Sequence, residues 1–325
     1  MRASEVAARS RVAILTDETG WHTGRLRRAL ARRGFEGRCA DLEDCRFDTS
    51  RPGSGIVIPG FGRELPVAAI VRGIAGGTLE QVTKRLGILH ALRELGVPVY
   101  NEARAIERSV DKSMTGFLLH RAGIASPPAW ALESEAQARR LVMAETAAGR
   151  CLVLKPLFGS QGKGLQRVGL VDGTPVALPD LAAYGRLAYL QRFVRQPEGR
   201  GNPGFDWRVL VVGGRARAAM KRVSRHWVRN VAQGARCLPA ALTPPVAALA
   251  EAAAAALGMD YAGVDLVPDA GAPGGAQVLE VNGVAAWRGL QSVTEFDIAQ
   301  AMVDDLLERR LGVDLVPARA TAGAG

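Results

Sequence analysis

Apolar and polar positions follow two rhythms along this chain. Arg11-Val-Ala-Ile-Leu-Thr16 is a short apolar run of the kind a buried strand makes. Arg25 to Arg33 has a helical rhythm and stops at Gly34, a residue that ends helices without strain. Gly55-Ile-Val-Ile-Pro59 and Val67 to Val71 predict further buried strands, Leu79 to Leu95 a helix ended by Gly96, and Val97-Pro-Val-Tyr-Asn101 another strand. Strands alternating with helices imply a parallel, Rossmann-like sheet over residues 1–104. No G-x-G-x-x-G follows the first strand, so a dinucleotide site is not expected there.

The rhythm then changes. Asp111 begins a helix that ends at Gly123, before Ser126-Pro-Pro128; a strand, a helix from Ser134 to Ala148 and a strand ending in Lys155 follow. Residues 105–188 read as a compact α+β unit. From Tyr189 the chain becomes strand-rich, with Tyr189 to Val194, Asp206 to Val212 and Arg215 to Val223, a helix from Pro245 to Leu257, two more strands and a last helix from Asp297 to Arg310. This third segment spans 189–317, and residues 318–325 are a small, polar tail expected to be disordered.

Two stretches carry chemistry. Tyr261-Ala-Gly-Val-Asp-Leu-Val and Ala276-Gln-Val-Leu-Glu-Val-Asn282 read as strands joined by a Pro/Gly/Asp turn from Pro268 to Gly275. Side chains alternate faces along a strand, so Glu280 and Asn282 point the same way, and an antiparallel partner would bring Asp265 beside them. Three oxygen-bearing side chains on one face suit Mg²⁺, which takes few protein ligands and completes its shell with water and phosphate. Solvent-facing polar residues on a hairpin are the alternative, but Asp265 interrupts an apolar run where burial would be costly. The other stretch is Leu152-Val-Leu-Lys-Pro-Leu-Phe-Gly-Ser-Gln-Gly-Lys-Gly-Leu165. Its glycines allow backbone N–H groups to approach phosphate oxygens, with Lys155 as a nearby point charge. It is not a Walker A loop, because the lysine precedes the glycines; a plain glycine-rich turn is the alternative.

Composition narrows the picture. The 325 residues suffice for two or three domains with a real core. No apolar run reaches 18 residues, and Met1 to Ser10 lack the apolar centre of a signal peptide. Cys39, Cys45, Cys151 and Cys237 have no metal spacing and read as reduced thiols of a cytoplasmic protein. The four histidines form no paired motif. A net charge of +10 would fit nucleic acid, yet aromatics are 5% and the arginines lack aromatic interleaving, so a single-strand stacking platform is not expected. Only Lys84, Lys112, Lys155, Lys163 and Lys221 among the 42 basic residues are lysine. A lysine in so arginine-rich a chain is informative, since it is a compact charge where the guanidinium fork does not fit.

The order of parts resembles the ATP-grasp superfamily: a lysine at a helix start, a lysine before a glycine-rich loop, Gln191-Arg-Phe-Val194, Asp206-Trp-Arg208, then Asp265 and Glu280-Val-Asn282. Within it, Arg72-Gly73, Leu79-Glu-Gln-Val-Thr-Lys-Arg-Leu86, Val97-Pro-Val-Tyr-Asn101, Val110-Asp-Lys112 and Glu280 to Leu290 are similar to the RimK-like α-L-glutamate ligases. They are most like the branch that glutamylates one-carbon carrier coenzymes such as tetrahydromethanopterin. The resemblance covers residues 11–312.

It implies an ATP-grasp fold behind a Rossmann-like pre-ATP-grasp domain, and ATP with two Mg²⁺ ions (or Mn²⁺) as cofactors. Lys112 and Lys155 would contact phosphates, with Gly159, Ser160, Gln161, Gly162 and Gly164 closing over them. Gln191, Arg192, Phe193 and Val194 would lie along the adenine, Asp206 at the ribose or the polar groups beside it, and Asn230 on the floor. Arg222 would face the γ-phosphate as the catalytic arginine. Asp265, Glu280 and Asn282 would hold the metals, and Arg72 and Arg288 would meet anionic substrates. The reaction implied joins L-glutamate to a carboxylate acceptor through an acyl phosphate. The alternatives are a ligase acting on a peptide or protein C-terminus, and a non-catalytic nucleotide- or nucleic-acid-binding protein. Homo-oligomerisation is left open. The chain departs from the family pattern at Arg192, where an acidic residue is common, at Val228, where an arginine is expected and Arg229 follows, and at Ala285, where a proline is expected.

Overall fold

A computed structural model describes residues 10–50, 52–159, 161–196 and 204–315. Ser160 and the tail 318–325 lie outside the described residues. The chain divides into two compact units, one of residues 1–103 with 297–325, the other of residues 104–296.

The first unit holds a parallel four-stranded sheet in the order β2-β1-β5-β6, from β1 (Arg11–Leu15), β2 (Glu36–Ala40), β5 (Ala68–Val71) and β6 (Val99–Tyr100). Helix α1 (Trp21–Arg32) buries Thr23, Leu26, Ala29 and Leu30, the three-to-four spacing of an amphipathic helix. Helix α2 (Leu79–Glu94) starts at a reciprocal cap: the Gln81 N–H donates to the Thr78 hydroxyl, and the Thr78 N–H donates to Gln81 Oε1 at 2.9 Å. The run 55–59 was expected in the parallel sheet. It supplies instead β4 (Ile56–Val57), paired antiparallel with β3 (Arg46–Phe47) in a separate ribbon. Strand β2, which has no strand signal in its charged sequence, takes the sheet edge.

The last helix was expected to close the C-terminal segment. It belongs to the first unit. Helix α8 (Ile298–Asp305), prolonged by a wider turn to Arg310, packs on α1 and buries Ile298, Met302, Val303, Leu306 and Leu307. Arg33 donates two hydrogen bonds of 2.7 Å to Asp304, and Tyr100 donates one of 2.6 Å to Asp305.

The second unit has two antiparallel five-stranded sheets. The first runs β10-β9-β8-β11-β7, from β7 (Ala129–Leu132), β8 (Cys151–Lys155), β9 (Gln166–Val171), β10 (Thr174–Val176) and β11 (Ala188–Arg192). Strand β11 thus pairs with β7 and β8 and belongs with the segment before residue 189, not after it. Helix α5 (Glu135–Ala147) covers this sheet through Ala138 and Val142. The second sheet runs β14-β13-β12-β15-β16, from β12 (Phe205–Val212), β13 (Arg215–Val223), β14 (Arg236–Ala240), β15 (Tyr261–Pro268) and β16 (Ala276–Asn282). Helix α6 (Pro244–Leu257) packs on one face of it, where Val209, Val211, Ala262, Val264, Leu266, Val278 and Val281 form the core with Ala250, Ala253 and Leu257. The neighbouring residues of these strands must therefore face the other way.

Met302 is 0% exposed. Met302→Ala should lower the unfolding free energy by about 2–5 kcal/mol in a urea titration. Leu79, which is 80% exposed, should tolerate alanine to within about 0.5 kcal/mol.

Candidate functional site

On the face of the second sheet away from α6, register builds a row of ionic side chains. Asp206 on β12 opposes Arg222 on β13, Arg208 opposes Asp265 on β15, and Asp265 opposes Glu280 on β16. A β-bulge at Leu279 lets both Val278 and Val281 face α6 while Glu280 and Asn282 stay with Asp265. Arg222 donates to both oxygens of Asp206, at 2.7 and 2.9 Å, and reaches Asp265 Oδ2 at 3.1 Å. Arg208 donates to both oxygens of Asp265, the longer bond being 2.9 Å. The Asn282 amide nitrogen donates to the Gly263 carbonyl at 3.1 Å and lies 3.5 Å from Asp265 Oδ2, which leaves its amide oxygen as an acceptor.

Burial pushes the Asp265 carboxyl up, but Arg208 and Arg222 outweigh it and hold the group below the ordinary aspartate value. For Asp206, burial outweighs Arg222 and the carboxyl rises to about 6, helped by the like charge of Asp265.

The two expected lysines stand on the other side of Glu280. Asp111 caps helix α4 (Lys112–Arg121) by accepting from the N–H groups of Ser113 and Met114, which puts Lys112 at the first helical position. Its ammonium donates to the carbonyls of Leu157 and Gly159 at 3.2 and 3.0 Å and lies 4.0 Å from Glu280. Lys155, at the end of β8, donates to Gln191 Oε1 at 2.6 Å. Burial draws the Lys155 ammonium down to about 8, against the pull of Glu280. Lys112, Lys155, Tyr189, Gln191, Leu279 and Glu280 line one cavity of about 570 Å³, a volume in the small-molecule range.

The glycine-rich loop leans on the segment after β13. A side chain on Gly162, which has φ +70°, would come within 2.6 Å of both Asn230 and Val228, so only glycine fits this approach. Gln233 also donates to the Gln161 carbonyl at 3.4 Å. Asn230 therefore stands directly beside Gly162.

The other expected residues stand as follows. Asp206, expected at the ribose, has both oxygens on Arg222 and is buried, because register sets it across from that guanidinium. Arg222 itself is buried between two aspartates. Arg192 turns to Glu145 on α5, and Phe193 packs edge-on against Trp227 with ring centroids 6.0 Å apart. Val194 is half-buried beyond β11. Arg288 is exposed at the start of the one-turn helix α7 (Arg288–Gln291). Arg72 is buried in the first unit after β5, its N–H bonded to the Leu15 carbonyl at 2.7 Å. Arg208, which is two residues from Asp206 and so shares its face, was available to sequence reasoning but was given no role. Tyr189 and Leu279 in the cavity wall and Glu145 behind Arg192 carry no motif of their own.

Two domain families match this chain: the RimK PreATP-grasp domain over residues 11–106 and the RimK-like ATP-grasp domain over residues 109–306. The chain belongs to the RimK-like ATP-grasp family and is an ATP-grasp carboxylate–amine ligase. It is 34% identical over 241 residues to the tetrahydromethanopterin:α-L-glutamate ligase of Methanococcus maripaludis, covering 74% of this chain and 78% of that one. It is 29% identical over 295 residues to probable α-L-glutamate ligase 2 of Hahella chejuensis, covering 89% and 92%. Its fold matches the RimK domain ATP-grasp protein of Sphaerobacter thermophilus, with TM-score 0.66 and 23% identity over 91% of this chain and 99% of that one. It also matches the ATP-grasp ligase PsnB, solved with a minimal precursor, Mg and ADP, with TM-score 0.65 and 22% identity over 92% and 98%. No helix of the described residues is long and apolar enough to cross a membrane.

Asp206→Asn should destabilise the protein by about 3–5 kcal/mol in chemical denaturation, because it leaves a buried guanidinium short of a charged partner. A residue serving only a ribose would change nucleotide affinity and leave stability alone, so unaltered stability would count against the pairing role.

Proposed function

We propose that this protein joins L-glutamate to a carboxylate acceptor in an ATP-dependent reaction. The observation that carries the reading is the cross-strand placement of Asp265 beside Glu280, with Lys112 and Lys155 on the cavity side of Glu280. Glu280 and the Asn282 amide oxygen, beside an Asp265 that already accepts from Arg208 and Arg222, are a hard-oxygen set on one sheet face, and such a set would suit Mg²⁺ if Asp265 shared its oxygens with the ion. Two ions are part of this proposal, since two carboxylates and one amide leave most coordination positions to phosphate and water. Bound there, Mg²⁺ would neutralise charge on the triphosphate oxygens.

The chain's own residues then have distinct tasks. Lys112 and Lys155 hold phosphate oxygens, and the loop of Gly159 to Gly164 covers them. Gln191 to Val194 lie along the adenine, with backbone groups reading its edge. Arg222, next to the metal carboxylate, stabilises the phosphoryl group in transfer. An acceptor carboxylate oxygen attacks the γ-phosphorus and the bond to ADP breaks, giving an acyl phosphate. The glutamate amine attacks that carbonyl and loses a proton, and inorganic phosphate leaves with the C–O electron pair. No protein nucleophile is required. Arg72 and Arg288 remain candidates for anionic substrates. The names of the archaeal relatives favour a one-carbon carrier coenzyme as the acceptor, and the four free thiols fit a cytoplasmic setting.

The test is ADP release by purified protein with Mg²⁺, ATP, glutamate and a panel of acceptors that includes reduced pterin coenzymes and peptide C-termini. ADP release that needs both glutamate and one acceptor supports the reading. No turnover on any acceptor, together with tight, salt-sensitive binding to duplex nucleic acid, would sink it.

Glu280→Gln should fold normally and lose turnover by about 10²-fold or more, since the amide cannot match the charge of the carboxylate. Circular dichroism and the ADP assay check this together. Lys155→Ala should weaken ADP binding, whereas Lys84→Ala should not: the Lys84 ammonium donates to the carbonyls of Leu42 and Glu43, both at 2.9 Å, and serves the first unit. The Lys155 charge is lost as pH rises through about 8, so ADP affinity should fall above that pH. Anionic nucleotide favours the charged form, so binding near pH 8 should take up protons. Calorimetry in two buffers of different ionisation heat reports that uptake, which Lys155→Ala should abolish.

A further inference from the structure

Strand β11 divides its side chains between two faces. Ala188 and Leu190 join the core beneath α5, so Tyr189 and Gln191 face the cavity. Register sets Tyr189 directly across from Lys155, at the end of β8 where the glycine-rich segment begins. Tyr189 is only 4% exposed, and its hydroxyl has no hydrogen-bond partner among the described residues. The oxygen lies beside α4, where a Cβ built on Gly116 would stand 3.7 Å from it, and Gly116 lines the cavity too. Buried tyrosine hydroxyls ordinarily find a partner, so one left open towards a cavity points to something that binds there. Burial, reinforced by the charges of Glu280 and Asp111, pushes the phenol above the ordinary tyrosine value. The group is therefore a neutral O–H donor at neutral pH, and what its proton lacks is an acceptor.

We propose that Tyr189 is a third phosphate-holding residue, its hydroxyl donating to a phosphate oxygen of the nucleotide alongside Lys112 and Lys155. This rests on the nucleotide reading above. The amide oxygen in the same wall is already committed: Gln191 Oε1 accepts from Lys155 at 2.6 Å. An oxygen that enters a cavity walled by two ammonium groups is best an anion's, and phosphate supplies several. The hydroxyl contributes what a third cation could not. Burial, aided by the Lys112 charge, already draws the Lys155 ammonium down to about 8. Another positive group would lower it further and cost the site a charge, whereas a neutral donor adds a hydrogen bond and leaves Lys155 ionised. It also adds direction, because an O–H must point at its acceptor, while an ammonium acts as a point charge.

The experiment compares the full chain with Tyr189→Phe, which keeps the ring and removes the hydroxyl. Losing an unmet hydroxyl does not harm the free protein, so its melting temperature should stay level or rise. In calorimetric titration with Mg²⁺ and ADP, the affinity should fall about tenfold, the size of one hydrogen bond to a charged group. Adenosine, which has no phosphate, is measured by competition against ADP. It should compete equally well in both proteins, or in neither. A lower melting temperature in free Tyr189→Phe overturns the inference, because the hydroxyl would then have a partner within the fold. A loss for adenosine as large as that for ADP overturns it too, since the hydroxyl would serve the nucleoside. Unchanged ADP affinity in Tyr189→Phe overturns this inference alone. Failure of the unsubstituted protein to bind ADP overturns the nucleotide reading and this inference with it.

Discussion

Arg222 is shared by Asp206 and Asp265, and the second sheet's functional face depends on that sharing. A buried ion costs several kcal/mol in lost hydration, and one partner at contact distance returns about 4 kcal/mol at an effective dielectric near 20. A single pair therefore does little better than break even. Here two aspartates and two arginines form a neutral set in which Asp265 touches both cations. The register of β12, β13 and β15 makes the contacts unavoidable, so the network and the strand pairing fix one another. Glu280 and Asn282 are aligned because the strand beside them is already held in place.

Lysine placement separates roles that charge alone would merge. Lys84 caps two loop carbonyls, Lys112 sits at a helix start between two carbonyls and Glu280, and Lys155 ends a buried strand against Gln191. Lys84 and Lys112 each set the small ammonium between two carbonyl oxygens, a compact charge in place of a planar fork, and Lys155 donates to one amide oxygen. Only the last two border the cavity.

Much of this was legible in the sequence. The parallel first sheet, the Asp111 cap, the β15–β16 hairpin and the joint placement of Asp265, Glu280 and Asn282 follow from periodicity, capping residues and turn chemistry. What escaped depended on distant partners. Strand β2 is held by pairing with β1, not by an apolar pattern of its own, and the run 55–59 looked like its neighbours but found a partner in β3. Helix α8 joined the first unit through Asp297, Asp304 and Asp305, whose partners lie some two hundred residues or more earlier in the chain. Asp206 had a motif, but only register reveals that Arg222 claims it. The departure at Arg192 became intelligible only once Glu145 was found behind it, because nothing in α5's own sequence announces a partner.

The bulge at Leu279 acts as a phase shifter. Before it, Val278 faces α6; after it, Val281 does, three positions later instead of two or four. A regular strand would have had to choose between a continuous core and a polar face carrying Glu280, because residues 278 and 280 would share a side. The slipped phase lets one seven-residue strand serve the core along its length while its final three residues turn Glu280 and Asn282 to the other side. The same slip also leaves Leu279, apolar and out of phase, as part of the cavity wall beside the carboxylate. The strand thus delivers a charge and the greasy surface next to it through a single irregularity in its backbone.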